Sequence, residues 1–394
     1  MCRNVWIAGL LAVGCGGSGV TRSGVTRSDS AGVEIVQNDA PAWAEGAGWR
    51  LSAEPRLEIG RAEGDLPYIF SRVAGAVRLE DGRIVVADGQ SSEVRFFDAQ
   101  GRFLLKVGRK GKGPGEYTYL GPVDRCAGDS ITVFDIGWQL KVYDEAGILG
   151  REERLLQPGT NSTPYKLACS RTGEFLITGW GELMSGGRPI IGLFRTAAPV
   201  YVLGRTGELE LALGEYPSSE RLGSEHGSRP HPFGKTTVLT LGDSAIYIGT
   251  ADRFEIRVLD MTGKLTRLIR APEGDRAITS KDVDRYRETR LASVRVEARP
   301  EAGREMRNMA LPEALPAYAD LRLDRAGFLW VQDWVRPGAT DITWVVFDPS
   351  GQMLGRVRQP LAFRITEIGR DYVLGVTRDE LGVERVTLYD LHKS

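Results

Sequence analysis

One glycine-rich, basic segment is the part of the sequence that most resembles a phosphate-binding loop. Residues 108–117 read GRKGKGPGEY. A phosphate loop places backbone N–H groups and the N-terminus of a following helix around the phosphates. Here Pro114 follows Gly113 and the next predicted element is a strand, so we reject this chemistry. Glycines that permit positive φ and a proline that stiffens the chain favour a crossing between two strands instead.

Three aspartates at the ends of predicted strands are the first candidates for a cation site. Asp88, Asp135 and Asp333 each follow a run of apolar residues. A Ca²⁺ ion takes six to eight oxygen ligands, but the three residues belong to different repeats of the pattern described below. Aspartate also commonly caps a turn through its own side chain. We therefore interpret all three as turn residues.

The sequence offers little for nucleophilic catalysis. No G-x-S-x-G motif occurs, and the chain has 3 histidines in all. His226 and His231 share one loop, where a pair could act as acid and base or hold a metal. Histidine in an exposed loop is the ordinary case, and we expect both to be exposed. The sequence therefore predicts no catalytic residue, no metal site and no cofactor.

Two cysteines occupy matching places in neighbouring repeats. Cys126 and Cys169 each stand where Leu79 stands in the first repeat. In an oxidising compartment they would form a disulfide that joins the two repeats. The alternative is a pair of buried thiols, and the sequence leaves both open.

Two strand–turn–strand patterns alternate along the chain and define its architecture. The opening hairpins are residues 77–88, 125–135, 167–179, 239–249, 321–333 and 366–377, and the closing hairpins are 94–108, 140–153, 201–214, 256–269, 344–357 and a truncated 386–394. Their alternating apolar residues and Gly/Asp/Ser turns predict antiparallel strands. Six four-stranded sheets bury both faces when they pack around an axis, which predicts an all-β fold, a six-bladed β-propeller. Two separate β-domains are the alternative.

The last repeat lacks its outer strand, and a spare strand lies near the N-terminus. Residues 55–73 parallel residues 102–123, with Gly60 matching Gly108. We predict that residues 57–59 complete blade six, because this pairing closes the ring and removes an exposed edge.

A helical insertion interrupts the repeats before blade five, at about residues 279–311. Thr279 and Asp282 form a predicted capping box, and Val283 and Tyr286 begin a series of apolar residues near helical spacing. The insertion is either packed decoration or a lid or docking element for a partner.

The chain resembles the six-bladed β-propellers related to NHL repeats, many of which are bacterial lipoproteins. The resemblance rests on the D-x-x-G hairpin, as in residues 98–101, and on the G-x-x-G-x-G-P-G-E-aromatic connection at residues 108–117. It covers roughly residues 50–394. Departures are Gly204-Arg205, where Asp is expected, and the helical insertion. The resemblance implies a fold and not a reaction.

The N-terminus predicts export. Residues 1–14 contain an apolar run too short to span a bilayer but typical of a signal peptide. Cys15 follows a small residue, as in the lipobox of bacterial lipoproteins, and residues 15–32 would be the lipidated cysteine and a flexible tether to the propeller at 33–394. The expected location is the cell envelope, lipid-anchored, or outside the cell if the lipobox is unused; ordinary cytosolic residence is the remaining alternative. With a formal charge of −1, nucleic-acid binding is not expected, and membrane contact is expected through the lipid alone.

A propeller would bring aromatic rings and cations to one mouth of its channel. The residues of this predicted mouth are Trp138, Trp180 and Trp334 after second strands, and Arg72, Lys166, Lys235 and Arg364 near the starts of first strands. Together they could bind a sugar, a peptide or an anionic group. The alternative is that the tryptophans cover blade edges and the cations are solvated.

These observations favour a non-catalytic binding or protein-interaction module of the cell envelope, with an unknown protein, peptide or saccharide as its partner. The alternative is a metal-dependent propeller enzyme similar to lactonases, lyases or hydrolases. Six-bladed lactonases hold their metal with Glu, Asn and Asp around the axis, and this chain has only four asparagines, at 4, 38, 161 and 308. A structural subunit of an envelope complex is a third possibility, suggested by the helical insertion.

Overall fold

The structure is a computed structural model. It describes residues 24–44, 46–127, 130–135, 137–155, 164–179 and 181–393, with only the backbone of residues 164–167. Cys15 and Trp180 lie outside the described residues, as does the predicted signal peptide.

Most of the described residues that form regular structure are in β-strands. The N-terminal strands are β1 (Val25–Ser30), β2 (Val33–Asn38), β3 (Arg50–Leu51) and β4 (Leu57–Ile59). Blade one is β5 (Val73–Arg78), β6 (Ile84–Asp88), β7 (Glu93–Phe97) and β8 (Phe103–Val107), and blade two is β9 (Leu120–Arg125), β10 (Ile131–Asp135), β11 (Gln139–Tyr143) and β12 (Leu149–Arg154).

Blade three carries additional strands. The chain runs through β13 (Pro164–Cys169), β14 (Phe175–Gly179), β15 (Met184–Ser185), β16 (Arg188–Pro189), β17 (Gly192–Phe194), β18 (Ala197–Leu203), β19 (Leu209–Pro217), β20 (Arg221–Ser224) and β21 (Gly227–Pro230). The blade itself is β13-β14-β18-β19, whereas β15-β16 and β17-β20-β21 form small separate sheets. The sequence did not predict these additions.

The remaining blades follow the same four-strand plan. Blade four is β22 (Val238–Leu241), β23 (Ala245–Gly249), β24 (Glu255–Asp260) and β25 (Leu265–Arg270); blade five is β26 (Asp320–Leu323), β27 (Leu329–Gln332), β28 (Asp341–Phe347) and β29 (Met353–Pro360); blade six begins with β30 (Phe363–Ile368), β31 (Tyr372–Arg378) and β32 (Glu384–His392). The predicted all-β six-bladed propeller is confirmed.

The core lies between neighbouring blades. For example, Val85 of blade one packs with Val133 of blade two, and Trp344 of blade five packs with Phe363 of blade six. Equivalent apolar clusters occupy the other four blade–blade contacts, including the one between blades six and one. The middle strand β6 is buried at every position, because both faces of an inner strand are covered. A continuous apolar strand is therefore required here rather than an alternating one.

Aspartates shape the turn between the third and fourth strands. In blade one, Oδ1 of Asp98 accepts hydrogen bonds from the N–H groups of Gln100 and Arg102 at 2.9 and 2.8 Å, while Gly101 adopts a φ of 77°. This geometry explains the D-x-x-G motif, since aspartate satisfies turn N–H groups and glycine tolerates positive φ. In blade three, where Gly204 replaces the aspartate, the carboxylate of Glu208 bonds the turn at the N–H of Thr206.

The ring closes as predicted, through an N-terminal strand on blade six. Strand β4 pairs antiparallel with β32, with Ile59 opposite Val386, and β3 extends along the same partner. The predicted tether at residues 15–32 is wrong in its C-terminal part, because β1 and β2 form a hairpin and β2 pairs in parallel with β25 of blade four. An ion pair of Glu34 with Arg267 holds β2 on blade four, and Glu34 also pairs with Arg27 within the hairpin.

The helical insertion contains α1 (Ser280–Ser293) and α2 (Arg299–Arg307), separated by a 3₁₀ turn at Val296–Ala298; another 3₁₀ turn, Leu66–Tyr68, precedes blade one. The predicted capping box of Thr279 and Asp282 is present. In the described part of the chain, neither helix has the length and apolarity needed to span a bilayer.

The glycine-rich segment at residues 108–117 connects β8 to β9 of the next blade. The carboxylate of Glu116 accepts hydrogen bonds from the Gly113 N–H at 2.8 Å and from Nε of Arg109 at 2.7 Å. The hydroxyl groups of Tyr117 and Tyr143 are 2.8 Å apart in the core. The segment is thus a folded crossing whose N–H groups bond within the protein, that of Gly113 to Glu116 and that of Gly115 to Glu152 of blade two.

Candidate functional site: the axial cavity

The first strands of the blades surround a cavity of about 380 Å³ on the propeller axis. Residues of all six blades line it, and its charged residues include four arginines and four carboxylates: Arg171, Arg322, Arg325, Arg364, Asp124, Asp243, Asp324 and Glu367. A volume of this size is suited to a small molecule. How these charges are paired determines what the cavity can bind.

One end of the cavity is closed by Arg325. This residue lies in the turn after β26 of blade five, and its Nη1 donates to the carbonyl of Arg125 in blade two at 3.2 Å. Blades two and five face each other across a six-membered ring, so the side chain spans the channel. Its Nε also donates to Oε1 of Glu367 at 2.8 Å. We call Arg325 and Glu367, with their partners, the floor.

Glu367 of blade six also ties blade one to the floor. Its side chain is 6% exposed, and its Oε2 accepts from the N–H of Arg78 in blade one at 2.6 Å. A β-bulge between Ile365 and Glu367 turns the carboxylate toward the axis. Burial acts to lower the pKa of Arg325, but attraction to Glu367 and Asp124 outweighs it and raises that pKa. Arg325 is therefore a fixed positive charge.

A second ion pair completes this end of the cavity. The guanidinium of Arg171 in blade three bonds both through Nε, at 2.7 Å, and through Nη2 to the carboxylate of Asp243 in blade four. The side-chain hydrogen bond from Arg171 is the main cause of a lowered pKa of Asp243. All charges named so far at this end have partners, which is the pattern expected of a structural closure.

Two arginines of blades five and six lie farther toward the other end. Arg322 donates through Nε to Asp320 at 3.1 Å and through Nη1 to the carbonyl of Thr366 at 3.2 Å. Arg364 donates through Nη2 to the carbonyl of Val73 at 2.6 Å and remains exposed. Although the residue is accessible, the surrounding blades partly desolvate its guanidinium group, and this desolvation, together with the positive charge of Arg322, lowers the pKa of Arg364 against the attraction of Glu384.

Asp124 of blade two is the carboxylate in the cavity with the fewest partners. Its Oδ1 accepts the N–H of the next residue, Arg125, at 2.8 Å, and no ion pair to it occurs among the described side chains. Burial raises the pKa of Asp124, and the positive charges of Arg325 and Arg322 only partly oppose that shift. A hydrogen-bond donor or cation beside it would therefore stabilise its charged form.

The structure separates the four predicted cations. Arg364 lines the cavity. Arg72 instead bridges two blades, through a 2.6 Å hydrogen bond to the carbonyl of Gly89 and a cation–π contact with Tyr119. Lys235 lies between Glu220 and Asp252 at 3.6 and 3.7 Å.

The fourth cation and the tryptophans are placed as follows. Lys166 lies on β13, and the structure describes only its backbone. Trp334 is half-buried, and its ring packs 6.0 Å from that of Phe233, which in turn packs on Tyr286 of α1. Trp138 has a φ of 60° and packs partly against the core between blades two and three. No described contact joins Trp138 to Trp334, so these rings do not form one surface through direct contact.

The aspartates and histidines have structural partners. Asp88 accepts the N–H of Gln90 at 3.2 Å and Asp135 that of Gly137 at 3.1 Å, as turn residues do, whereas Asp333 forms an ion pair with Arg356. His226 is exposed. The expectation for the second histidine is wrong, because His231 is 5% exposed.

His231 connects the loop before blade four to the helical insertion. Its Nδ1 accepts from the N–H of Phe233 at 3.0 Å, so Nε2 carries the proton and donates to the carbonyl of Ala310 at 2.9 Å. Burial lowers the pKa of His231 to about 4. Within the described ranges no group of three or more His, Cys, Asp or Glu side chains is arranged to hold a metal ion.

Cys126 and Cys169 are bonded in the structure, with their Cα atoms 5.7 Å apart. The bond joins the inner strands of blades two and three beside the cavity. Sequence reasoning missed the floor because Arg325 lies in a first-to-second-strand turn and Glu367 near the end of a first strand, both at the end opposite to the predicted mouth. A signal was present, since Arg171, Asp243 and Arg325 occupy corresponding turns of blades three, four and five.

The fold and this cavity define the chain as a six-bladed β-propeller with an axial cavity closed at one end by ion pairs. A family model, DUF5128, described as a 6-bladed beta-propeller, matches residues 72–148. No protein with a curated description matches the sequence.

Similar solved structures include a member of the DUF4221 family from Bacteroides vulgatus, with 10% identity and a TM-score of 0.52 over 88% of this chain and 99% of that one. Virginiamycin B lyase from Staphylococcus aureus has 12% identity and a TM-score of 0.42 over 87% and 100% of the chains. Regucalcin, a calcium-binding protein from Agrobacterium tumefaciens, has 11% identity and a TM-score of 0.42 over 83% and 93%. At these identities the likeness concerns the fold alone.

Proposed function

We propose that this protein is a non-catalytic binding module of the cell envelope and that it takes a small ligand into the axial cavity. The observation that supports this most is the distribution of charge along the axis. Charges at the closed end pair with one another, as in Arg325–Glu367 and Arg171–Asp243. Toward the other end, Arg364 makes no ion pair within the described chain and stays accessible.

A buried or channel-facing charge without a counterion is costly unless something else compensates it. Arg364 is held in place by the carbonyl of Val73, so its guanidinium is already oriented before a ligand arrives. Preorganisation of this kind reduces the entropy lost on binding. The charged groups of the floor are committed to one another, which favours a structural role for that end of the cavity.

The test is native mass spectrometry of the purified full chain, followed by denaturation to release any small molecule. The proposal predicts a bound species that is recovered chemically unchanged, and that Arg364→Gln loses. Arg358→Gln is the matched control, because Arg358 lies exposed on the outer strand of blade five. Conversion of the recovered molecule on incubation with the protein would favour the lactonase-, lyase- or hydrolase-like alternative.

The envelope location is part of the same proposal and rests on the N-terminal sequence. Cys15 would carry the lipid, and residues 16–23 would connect it to the hairpin on blade four. Membrane fractionation tests this with Cys15→Ala, which should move the protein from the membrane to the soluble fraction. Equal membrane association of both forms would contradict the lipid anchor without affecting the cavity.

A further inference from the structure

We propose that the axial cavity binds a small zwitterion of the α-amino-acid type, with its carboxylate held by Arg364 and Arg322 and its ammonium group directed toward Asp124. This inference rests on the proposed function and specifies the ligand class. It follows from the two charges in the cavity that lack an ion pair among the described side chains. They have opposite signs, and they lie on different blades.

The anionic end of the ligand is assigned by the two arginines. Among the described residues Arg364 has one hydrogen-bond partner, the backbone carbonyl of Val73, so its Nε and Nη1 can face the cavity. Arg322 commits Nε and Nη1 to Asp320 and Thr366 and leaves Nη2. Because the two guanidinium groups repel each other electrostatically, an anion between them removes an unfavourable interaction and adds favourable ones. Arginine donors in this arrangement match a carboxylate.

The cationic end is assigned by Asp124. Within the described part of the chain, only one oxygen of this carboxylate has a hydrogen bond, from a backbone N–H. The two arginines whose positive charge acts on it are bonded elsewhere, Arg325 to Glu367 and the carbonyl of Arg125, and Arg322 to Asp320 and the carbonyl of Thr366. An ammonium group supplies three donors and one positive charge, which is what a poorly solvated carboxylate lacks.

The positions of the two charges fix the direction of the ligand. Arg364 is the second residue of β30, whereas Asp124 is the fifth of β9 and the floor lies beyond it. Since first strands run from the open end toward the floor, the carboxylate would lie nearer the opening and the ammonium group deeper. A cavity of about 380 Å³ leaves room for an amino acid but not for a folded partner.

The experiment is isothermal titration calorimetry of the full chain with each of the twenty common L-α-amino acids. For any that binds, two analogues are titrated: the acid without its amino group and the amine without its carboxylate. We expect each analogue to bind at least about tenfold more weakly, since hydrogen bonds to charged groups contribute about 1.5–3 kcal/mol. Arg364→Gln and Asp124→Asn should each weaken binding by a similar factor, and Arg358→Gln should not.

The outcomes separate this inference from the proposed function. If the deaminated acid binds as tightly as the amino acid and Asp124→Asn has no effect, the site is an anion site and the zwitterion is wrong. If no amino acid binds while another small molecule co-purifies, the ligand class is again wrong and the binding function stands. If Arg364→Gln fails to fold, Arg364→Lys replaces it in the titration, because lysine retains the positive charge and should keep only part of the affinity. Unchanged affinity in both Asp124→Asn and Arg364→Lys would overturn the assignment of the two ends of the ligand.

Discussion

Replacing Glu367 with glutamine should destabilise the propeller by about 2–4 kcal/mol, because it leaves the charge of Arg325 without its partner on the axis. The variant keeps nearly the same shape, but its single amide oxygen can accept only one of the two N–H groups that Glu367 accepts, from Arg78 and from Nε of Arg325. The change therefore removes the negative charge and one hydrogen bond, because the amide NH2 group faces the other donor. The side chains of Glu367 and Arg325 are 6% and 18% exposed, so the pair is shielded from bulk water.

The magnitude follows from that burial. Breaking a buried ion pair by removing one partner costs about 3–5 kcal/mol. Arg325 borders a cavity and lies within electrostatic range of Asp124, and both features reduce the cost toward the lower part of that range. A contribution below about 1 kcal/mol is typical of exposed pairs and would not fit a residue that bonds across the ring.

The assay is urea unfolding followed by circular dichroism, with Glu367→Gln, Arg325→Gln and the double variant forming a cycle. We expect a coupling free energy of about 2 kcal/mol, since the second substitution should cost little once the first is made. Glu301→Gln, at an exposed site on α2, is the control for losing a carboxylate and should be near neutral. Additive effects of the two floor substitutions would refute the conclusion that this pair closes the channel.

Three further predictions concern other parts of the fold. The folded-state pKa of His231 lies near 4, below the usual value of about 6.5, so the unfolded chain takes up a proton at a higher pH than the folded one. The stabilisation that results from keeping this imidazole neutral, about 3 kcal/mol of the free energy of unfolding, should be complete above pH 6.5 and lost as the pH falls toward 4. Thermal unfolding of the wild type and of His231→Gln between pH 7 and 4.5 tests this, and parallel curves would contradict it. Replacing both Cys126 and Cys169 with serine should lower the free energy of unfolding by about 4 kcal/mol, because the disulfide closes a loop with a sequence separation of 43. A reductant should destabilise the wild type but not the double-serine variant, and equal sensitivity of the two proteins to the reductant would argue against the bond. Ile59→Ala should lower the free energy of unfolding by about 2–4 kcal/mol, because this residue is 2% exposed on the closing strand. Leu66→Ala, at a 78% exposed position, should be near neutral in the same unfolding experiment. Similar losses of stability in the two variants would mean that β4 does not close the ring.

The fold could be predicted from the sequence because each blade repeats the same local signals. A turn such as that of Asp98 and Gly101 needs only neighbouring residues, so the pattern is visible in the sequence alone. The closing strand was also predictable, since residues 57–59 match a blade-one segment. The parallel pairing of β2 with β25 was not, because it joins residues more than 200 positions apart, as in Glu34 with Arg267, and has no local signal.

The candidate site was predictable only in part. Arg364 lines the axial cavity because its position on a first strand determines its direction, and its role in binding stays a prediction. The role of Arg325 depends on the width of the ring, which sets whether one side chain can reach the opposite blade. The half-burial of Trp334 depends on the helical insertion beside it, and no feature of its own blade indicates that contact.

The axial charges distinguish parts that maintain the ring from parts that can act on a ligand. Arg325 bonds to groups on blades two and six, so its donors are committed whether or not a ligand is present. Arg364 bonds to one carbonyl and repels Arg322, so the empty cavity is electrostatically the less favourable state. A ligand that neutralises this end should therefore raise the stability of the whole propeller, by RT ln(1 + [L]/Kd). The same stabilisation should be absent in Arg364→Gln but intact in Arg358→Gln, which connects occupancy of the cavity to a measurement that needs no knowledge of any reaction.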